Sequence, residues 1–165
     1  MKASTQYIFD PRPVISAFIN GTDKRFPVNR IYCVGRNYAE HAKEMGHSGS
    51  EPPFFFQKPT DALLAIRADE IGVLPYPSLT TNFHYEAELV VAISKGGKNI
   101  KPEDAEHHIY GYAVGLDMTR RDLQAEMKKK QWPWSIGKGF DFSAPMGPIT
   151  VKEEAGDVGN AEIYL

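Results

Sequence analysis

The chain has 165 residues, enough for one domain with its own core, and a formal net charge of −2. So balanced a charge gives no electrostatic reason to expect nucleic acid or an anionic membrane as a partner. A single cysteine, Cys33, excludes an intrachain disulfide and fits a reducing cytoplasm, and no apolar run is long enough to span a bilayer.

Residues 1–29, with Pro11, Pro13 and Pro27, read as an N-terminal arm or short strands laid on the body, with the main domain over 30–165. Ile31–Val34 is a short strand broken by Gly35-Arg36-Asn37. Asn37 as N-cap, Glu40 three residues on and Gly46 as a stop predict a helix over Tyr38–Met45. A flexible connector over 46–53 leads to a strand, Phe54–Gln57, closed by Lys58-Pro59. Residues 60–81 read as turns and short strands.

The stretch Asn82–Ile93 alternates. Phe83, Tyr85, Ala87, Leu89, Val91 and Ile93 are apolar, while His84, Glu86 and Glu88 open the even positions. Period-two alternation predicts one half-buried strand with the odd side chains toward the core. Gly96-Gly97 turns it. Lys101-Pro102 opens a helical segment running to His108, and Ile109–Asp117 is a second apolar strand. A helix follows over Thr119–Gln131, with Leu123 and Met127 as its apolar stripe, ended by Trp132-Pro133-Trp134. Residues 135–140 are short and mixed, 144–148 read as a loop, and Ala161–Leu165 as the start of a strand. Many short apolar runs separated by proline and glycine make this a β-rich α+β chain.

Glu86 and Glu88 share one face of their strand, roughly 7 Å apart, and like charges so placed repel. A hard divalent cation between them is the chemical remedy, with Asp117 at the end of the neighbouring strand as a third oxygen ligand. Two glutamates on a wet strand face also serve solubility alone. His41 and Glu44, three apart on the short helix, have the makings of a general base acting on water, on a segment that could close as a lid; taken alone they read more simply as a pair on an exposed helix face. Arg121 and Gln124 share a helix face where the guanidinium fork could take a carboxylate, though alone they read more simply as an ordinary exposed face. Lys138, between Gly137 and Gly139, and Lys58, before Pro59, read most simply as solvated. Cys33 reads as a buried, inert thiol.

Several motifs fall in a shared order: Arg25-Phe-Pro-Val, Ile31-Tyr-Cys-Val-Gly-Arg-Asn-Tyr-Ala-Glu-His-Ala-Lys-Glu-Met-Gly, Phe54-Phe-Phe-Gln-Lys-Pro, His84-Tyr-Glu-Ala-Glu-Leu, Gly111-Tyr-Ala-Val-Gly-Leu-Asp-Met-Thr-Arg-Arg-Asp-Leu-Gln and Gly137-Lys-Gly-Phe-Asp. In these, over residues 25 to 150, the chain resembles the fumarylacetoacetate hydrolase family, and within it the fumarylpyruvate hydrolases and acylpyruvases. The resemblance implies a mixed-sheet β-roll with short peripheral helices, over a catalytic domain spanning 30–165. It implies Mg²⁺ or Mn²⁺ held by Glu86, Glu88 and Asp117. His41 and Glu44 would be the water-activating pair, with Lys138 catalytic and substrate-binding beside Arg121 and Gln124.

The implied activity is hydrolysis of a carbon–carbon bond in an acylpyruvate, a small 2-oxo acid of aromatic-compound catabolism, by a cytoplasmic homodimer. Oxaloacetate decarboxylation and 2-oxo-dienoate hydration or isomerisation on the same metal site are the alternatives. Family members continue past this point with core strands and a Thr-Gly-Thr-Pro turn, so the chain, halting at Ile163-Tyr-Leu, reads as a C-terminally truncated form of the roll. An inactive remnant is the third reading. Tyr85 stands where relatives often carry a second histidine.

Overall fold

The computed structural model describes residues 5–35, 37–38 and 52–163. Strands β1 (Ser16–Phe18) and β2 (Arg25–Pro27) form an antiparallel hairpin, so the N-terminal segment carries two short strands. The hairpin is tied to the body through Ile149, whose amide donates to the Phe18 carbonyl and whose carbonyl accepts from the Asn20 amide, both at 2.9 Å. β3 (Ile31–Gly35) and β4 (Phe54–Lys58) pair antiparallel, with Ile31 opposite Lys58 and Gly35 opposite Phe54. The helix expected over Tyr38–Met45 falls almost wholly outside the described residues.

The main sheet is mixed. It contains β5 (Leu63–Ala65), β7 (Ala87–Ile93), β8 (Ile109–Leu116), β10 (Ala144–Met146) and β11 (Thr150–Val151). β8 is central, with β7 antiparallel on one edge and β10 and β11 antiparallel on the other, while β5 joins β10 in parallel. Gly111 is needed here, because a Cβ on it would stand 2.2 Å from the Thr150 carbonyl oxygen of β11. Away from this sheet, β6 (Phe83–His84) pairs antiparallel with β9 (Thr119–Arg120). Helices α1 (Arg121–Lys130) and α2 (Ser135–Lys138) follow. Short 3₁₀ turns cover Thr60–Ala62, Pro102–His108 and Val158–Asn160. The core joins the hairpin to the sheet through Ala17, Ala92, Ala113, Met146 and Ile149.

Five expectations are corrected. Asn82–Ile93 is two strands, because the chain changes partner at Tyr85–Glu86, from β9 to β8. From Tyr85 on its faces are also reversed, while Phe83 packs on buried Phe140 as expected. The even residues Val90 and Ala92 pack against the core, while Tyr85 is 61 % exposed and Ile93 55 %. Small residues fill the inner face where the β1–β2 hairpin approaches, and the larger apolar side chains stand on the other side. The helix begins at Arg121 rather than Thr119, since Thr119 and Arg120 pair with His84 and Phe83. The 144–148 loop contains β10, and Ala161–Ile163, the described part of the expected final strand, is not extended in a sheet.

Candidate active site

The β7–β8 register creates the site. Ala87 lies opposite Leu116, so one step beyond the ladder Glu86 lies opposite Asp117. The Asp117 amide donates to the Glu86 carbonyl oxygen at 2.8 Å, which holds the two residues face to face. Glu88, two residues from Glu86 on the same strand face, pairs with Gly115. Three carboxylates thus come to one end of two neighbouring strands.

Helices α1 and α2 close over them. Gly137 lets the helices touch, because a Cβ there would meet the Gln124 backbone nitrogen at 3.0 Å. That approach brings Lys138 inward. Its ammonium lies 2.7 Å from Glu86 Oε2 and 2.6 Å from Asp117 Oδ2, with only 3 % of the side chain exposed. Arg121, the first residue of α1, places Nη2 2.6 Å from Glu86 Oε1 and donates from Nη1 to Gln124 Oε1 at 2.8 Å. From below, Lys58 places its ammonium 2.8 Å from Asp117 Oδ1 and donates to the Met118 and Lys138 carbonyls.

These residues enclose a pocket of about 50 Å³, lined by Glu86, Glu88, Asp117, Arg121, Gln124 and Lys138 among others. Every expected site residue that lies among the described ones is therefore brought to one place. His41 and Glu44 lie outside the described residues. Lys58 is the residue that the sequence reading passed over. Its signal was there: Phe54, Phe56 and Lys58 share the inward face of β4, and burial alternates along that strand.

Charge is unevenly compensated. Burial pushes the Glu86 carboxyl up, but Lys138 and Arg121 outweigh it and hold it below the usual value. Among the described residues Lys138 acts on Glu88 only weakly. Burial, followed by the charges of Asp117 and Glu86, pushes it up to about 7, against a hydrogen bond from the Tyr38 hydroxyl. The folded chain therefore holds a proton on Glu88 that the unfolded chain releases near its ordinary value of 4.5. Metal-free protein should lose stability as pH rises through that window, 4.5 to about 7. Urea midpoints at its two ends should differ less in Glu88→Gln than in the unaltered protein. Burial, then the Asp117 charge, pushes the Cys33 thiol up to about 12. Iodoacetamide at neutral pH should accordingly leave it unlabelled in the native protein and alkylate it in urea, as read by mass spectrometry.

The donor set suits a hard divalent cation: three carboxylates line one pocket, and among the described residues Glu88 makes no ion pair with a lysine or arginine. As placed, no three His, Cys, Asp or Glu side chains among the described residues converge closely enough to grip an ion. Lys138 bridges Glu86 and Asp117 instead.

Residues 30–165 match the family described as fumarylacetoacetate (FAA) hydrolase C-terminal. The chain belongs to the fumarylacetoacetate hydrolase family. A crystal structure of fumarylpyruvate hydrolase from Pseudomonas aeruginosa, in complex with Mn²⁺ and pyruvate, is 55 % identical and superposes with a TM-score of 0.88 over 92 % of this chain and 65 % of that one. The mixed sheet with short helices is thus the fold of the fumarylacetoacetate hydrolase family, as the motifs implied. An oxaloacetate tautomerase of Escherichia coli is 41 % identical over 141 residues, 85 % of this chain and 63 % of that protein. The mitochondrial oxaloacetate decarboxylase of Dictyostelium discoideum is 38 % identical over 135 residues, 82 % of this chain and 61 % of that protein. The chain therefore spans less than two thirds of the length of these relatives. Among the described residues, no helix is long and apolar enough to cross a membrane.

Proposed function

We propose that the protein is an enzyme that hydrolyses the carbon–carbon bond of an acylpyruvate, converting fumarylpyruvate to fumarate and pyruvate. The observation that carries this reading is the single pocket gathering Glu86, Glu88, Asp117, Arg121, Gln124 and Lys138. The likeness to the Pseudomonas aeruginosa fumarylpyruvate hydrolase supports it.

Glu86, Glu88 and Asp117 would hold Mg²⁺ or Mn²⁺, which when bound supplies Lewis-acid polarisation of the 2-oxo acid end of the substrate. Arg121, its fork already aligned by Glu86 and Gln124, orients the substrate carboxylate in the pocket. His41, oriented by Glu44, takes a proton from water, and the hydroxide attacks the distal carbonyl carbon. The Lys138 ammonium donates to the oxygen that becomes negative there. The bond between that carbon and the pyruvate methylene then breaks. Pyruvate leaves as its enolate, and His41 returns the proton to the methylene carbon. We place this chemistry in aromatic-compound catabolism, in a cytoplasmic homodimer.

The Escherichia coli and Dictyostelium discoideum relatives favour a second reading, in which oxaloacetate is tautomerised or decarboxylated on the same site. Neither reaction consumes water, so neither requires His41 as a base on water. The test is pyruvate release from fumarylpyruvate, a panel of other acylpyruvates and oxaloacetate, together with the enol–keto conversion of oxaloacetate followed by ultraviolet absorbance, each with Mg²⁺ and with Mn²⁺. Acylpyruvate cleavage should collapse in His41→Ala, and failure to release pyruvate from any acylpyruvate overturns the first reading. Oxaloacetate turnover that survives His41→Ala, with no acylpyruvate cleaved, establishes the second.

A further inference from the structure

Lys58 ends β4 with its side chain 1 % exposed. Its ammonium meets three oxygens: the Met118 carbonyl at 3.1 Å, the Lys138 carbonyl, and Asp117 Oδ1 at 2.8 Å. The other Asp117 oxygen, Oδ2, faces Lys138 Nζ at 2.6 Å. One carboxylate is thus divided between two buried ammoniums. Lys138 lines the pocket and Lys58 does not. Asp117 therefore offers the pocket one oxygen, while the other is turned away beneath it.

That division bears on which cation can be held. Ca²⁺ takes 6–8 oxygens in flexible geometry and readily accepts both oxygens of one carboxylate; Mg²⁺ demands a compact octahedron. Mn²⁺ also suits octahedral oxygen sites. A carboxylate denied its second oxygen favours the octahedral ions. We propose that Lys58 is a positioning residue for ion selectivity: by capping Asp117 Oδ1 it keeps this ligand one-pronged and sets the site against Ca²⁺. The proposal rests on the reading of Glu86, Glu88 and Asp117 as a cation site. It goes beyond that reading by giving a residue outside the pocket control over which ion is taken.

The experiment is calorimetric titration of the metal-free protein, unaltered and as Lys58→Met, with Mg²⁺, Mn²⁺ and Ca²⁺ well below the melting temperature. Methionine keeps most of the volume and removes the cap. The unaltered protein should bind Mg²⁺ and Mn²⁺ more tightly than Ca²⁺. In Lys58→Met the preference for Mg²⁺ over Ca²⁺ should shrink by about tenfold or more, the scale on which partners of metal ligands act. A lowered Tm with an unchanged preference would make Lys58 a structural strut and overturn the proposal. Should Lys58→Met fail to fold, Lys58→Gln takes its place in the same titration, and Ca²⁺ bound as tightly as Mg²⁺ by the unaltered protein overturns the proposal. No binding of any of the three ions removes the cation site itself and the proposal with it. Binding with an unchanged preference removes the proposal alone.

Discussion

Asp117→Ala is expected to destabilise the protein by about 3–5 kcal/mol, the cost of leaving a buried charge without its partner. The reason is geometric. Asp117 lies between two ammoniums, Lys58 at 2.8 Å and Lys138 at 2.6 Å, whose side chains are 1 % and 3 % exposed. Removing the carboxylate strands both cations in a desolvated setting. Glu86 then compensates Lys138 alone, and Lys58 keeps only backbone carbonyls. Equilibrium urea unfolding gives the number. A loss within about 1 kcal/mol, the range of an exposed ion pair, would mean that water reaches these groups and that the buried network is not as described. On the proposed function the variant should also cleave no substrate, because the proposed cation site loses one of its three carboxylates.

Lys138→Met should separate two roles. Its ammonium bridges Glu86 and Asp117, and it is the donor assigned to the developing oxyanion. Loss of one such donor costs about 10²–10³ in kcat, so pyruvate release should fall by that factor. Binding of Mn²⁺ should survive, because the variant removes a cation and leaves Glu86 and Asp117 facing each other. Metal-free Lys138→Met should therefore unfold more easily than the unaltered protein, and Mn²⁺ should restore much of the difference. A variant that keeps full kcat would remove Lys138 from the chemistry. One that loses Mn²⁺ binding along with activity would make the lysine a structural support of the ligands.

Much of this site is legible in the chain before any folding. Alternation through Glu86 and Glu88, and an apolar run ending at Asp117, are local patterns, and the antiparallel pairing of two such runs brings their ends together. The break at Tyr85–Glu86 is not legible, because period two continues across it. What changes there is the partner strand, and partner choice depends on residues far along the chain. The reversal of faces has the same origin. Nothing within Ala87–Ile93 says that the β1–β2 hairpin will approach the side bearing Val90 and Ala92. Pro145 hid β10, since a proline lacks the amide that a strand pairs through. Lys58 was hidden by its type: a lysine before a proline reads as solvated, whereas its place in step with Phe54 and Phe56 sends it inward. Arg121 was foreseen as a free fork for substrate, and its link to Glu86 needed the start of α1 to be fixed by β9.

The proposed reaction requires Glu86, Glu88 and Asp117 to take a divalent cation together. Metal-free protein titrated with Mn²⁺ and followed by electron paramagnetic resonance measures this, at a pH above the value of about 7 reached by Glu88. One bound Mn²⁺ per chain is the predicted result, with that signal lost in Glu86→Gln and in Glu88→Gln at a temperature where both variants stay folded. Mn²⁺ that remains free in the unaltered protein, or binds undiminished in either variant, would contradict it.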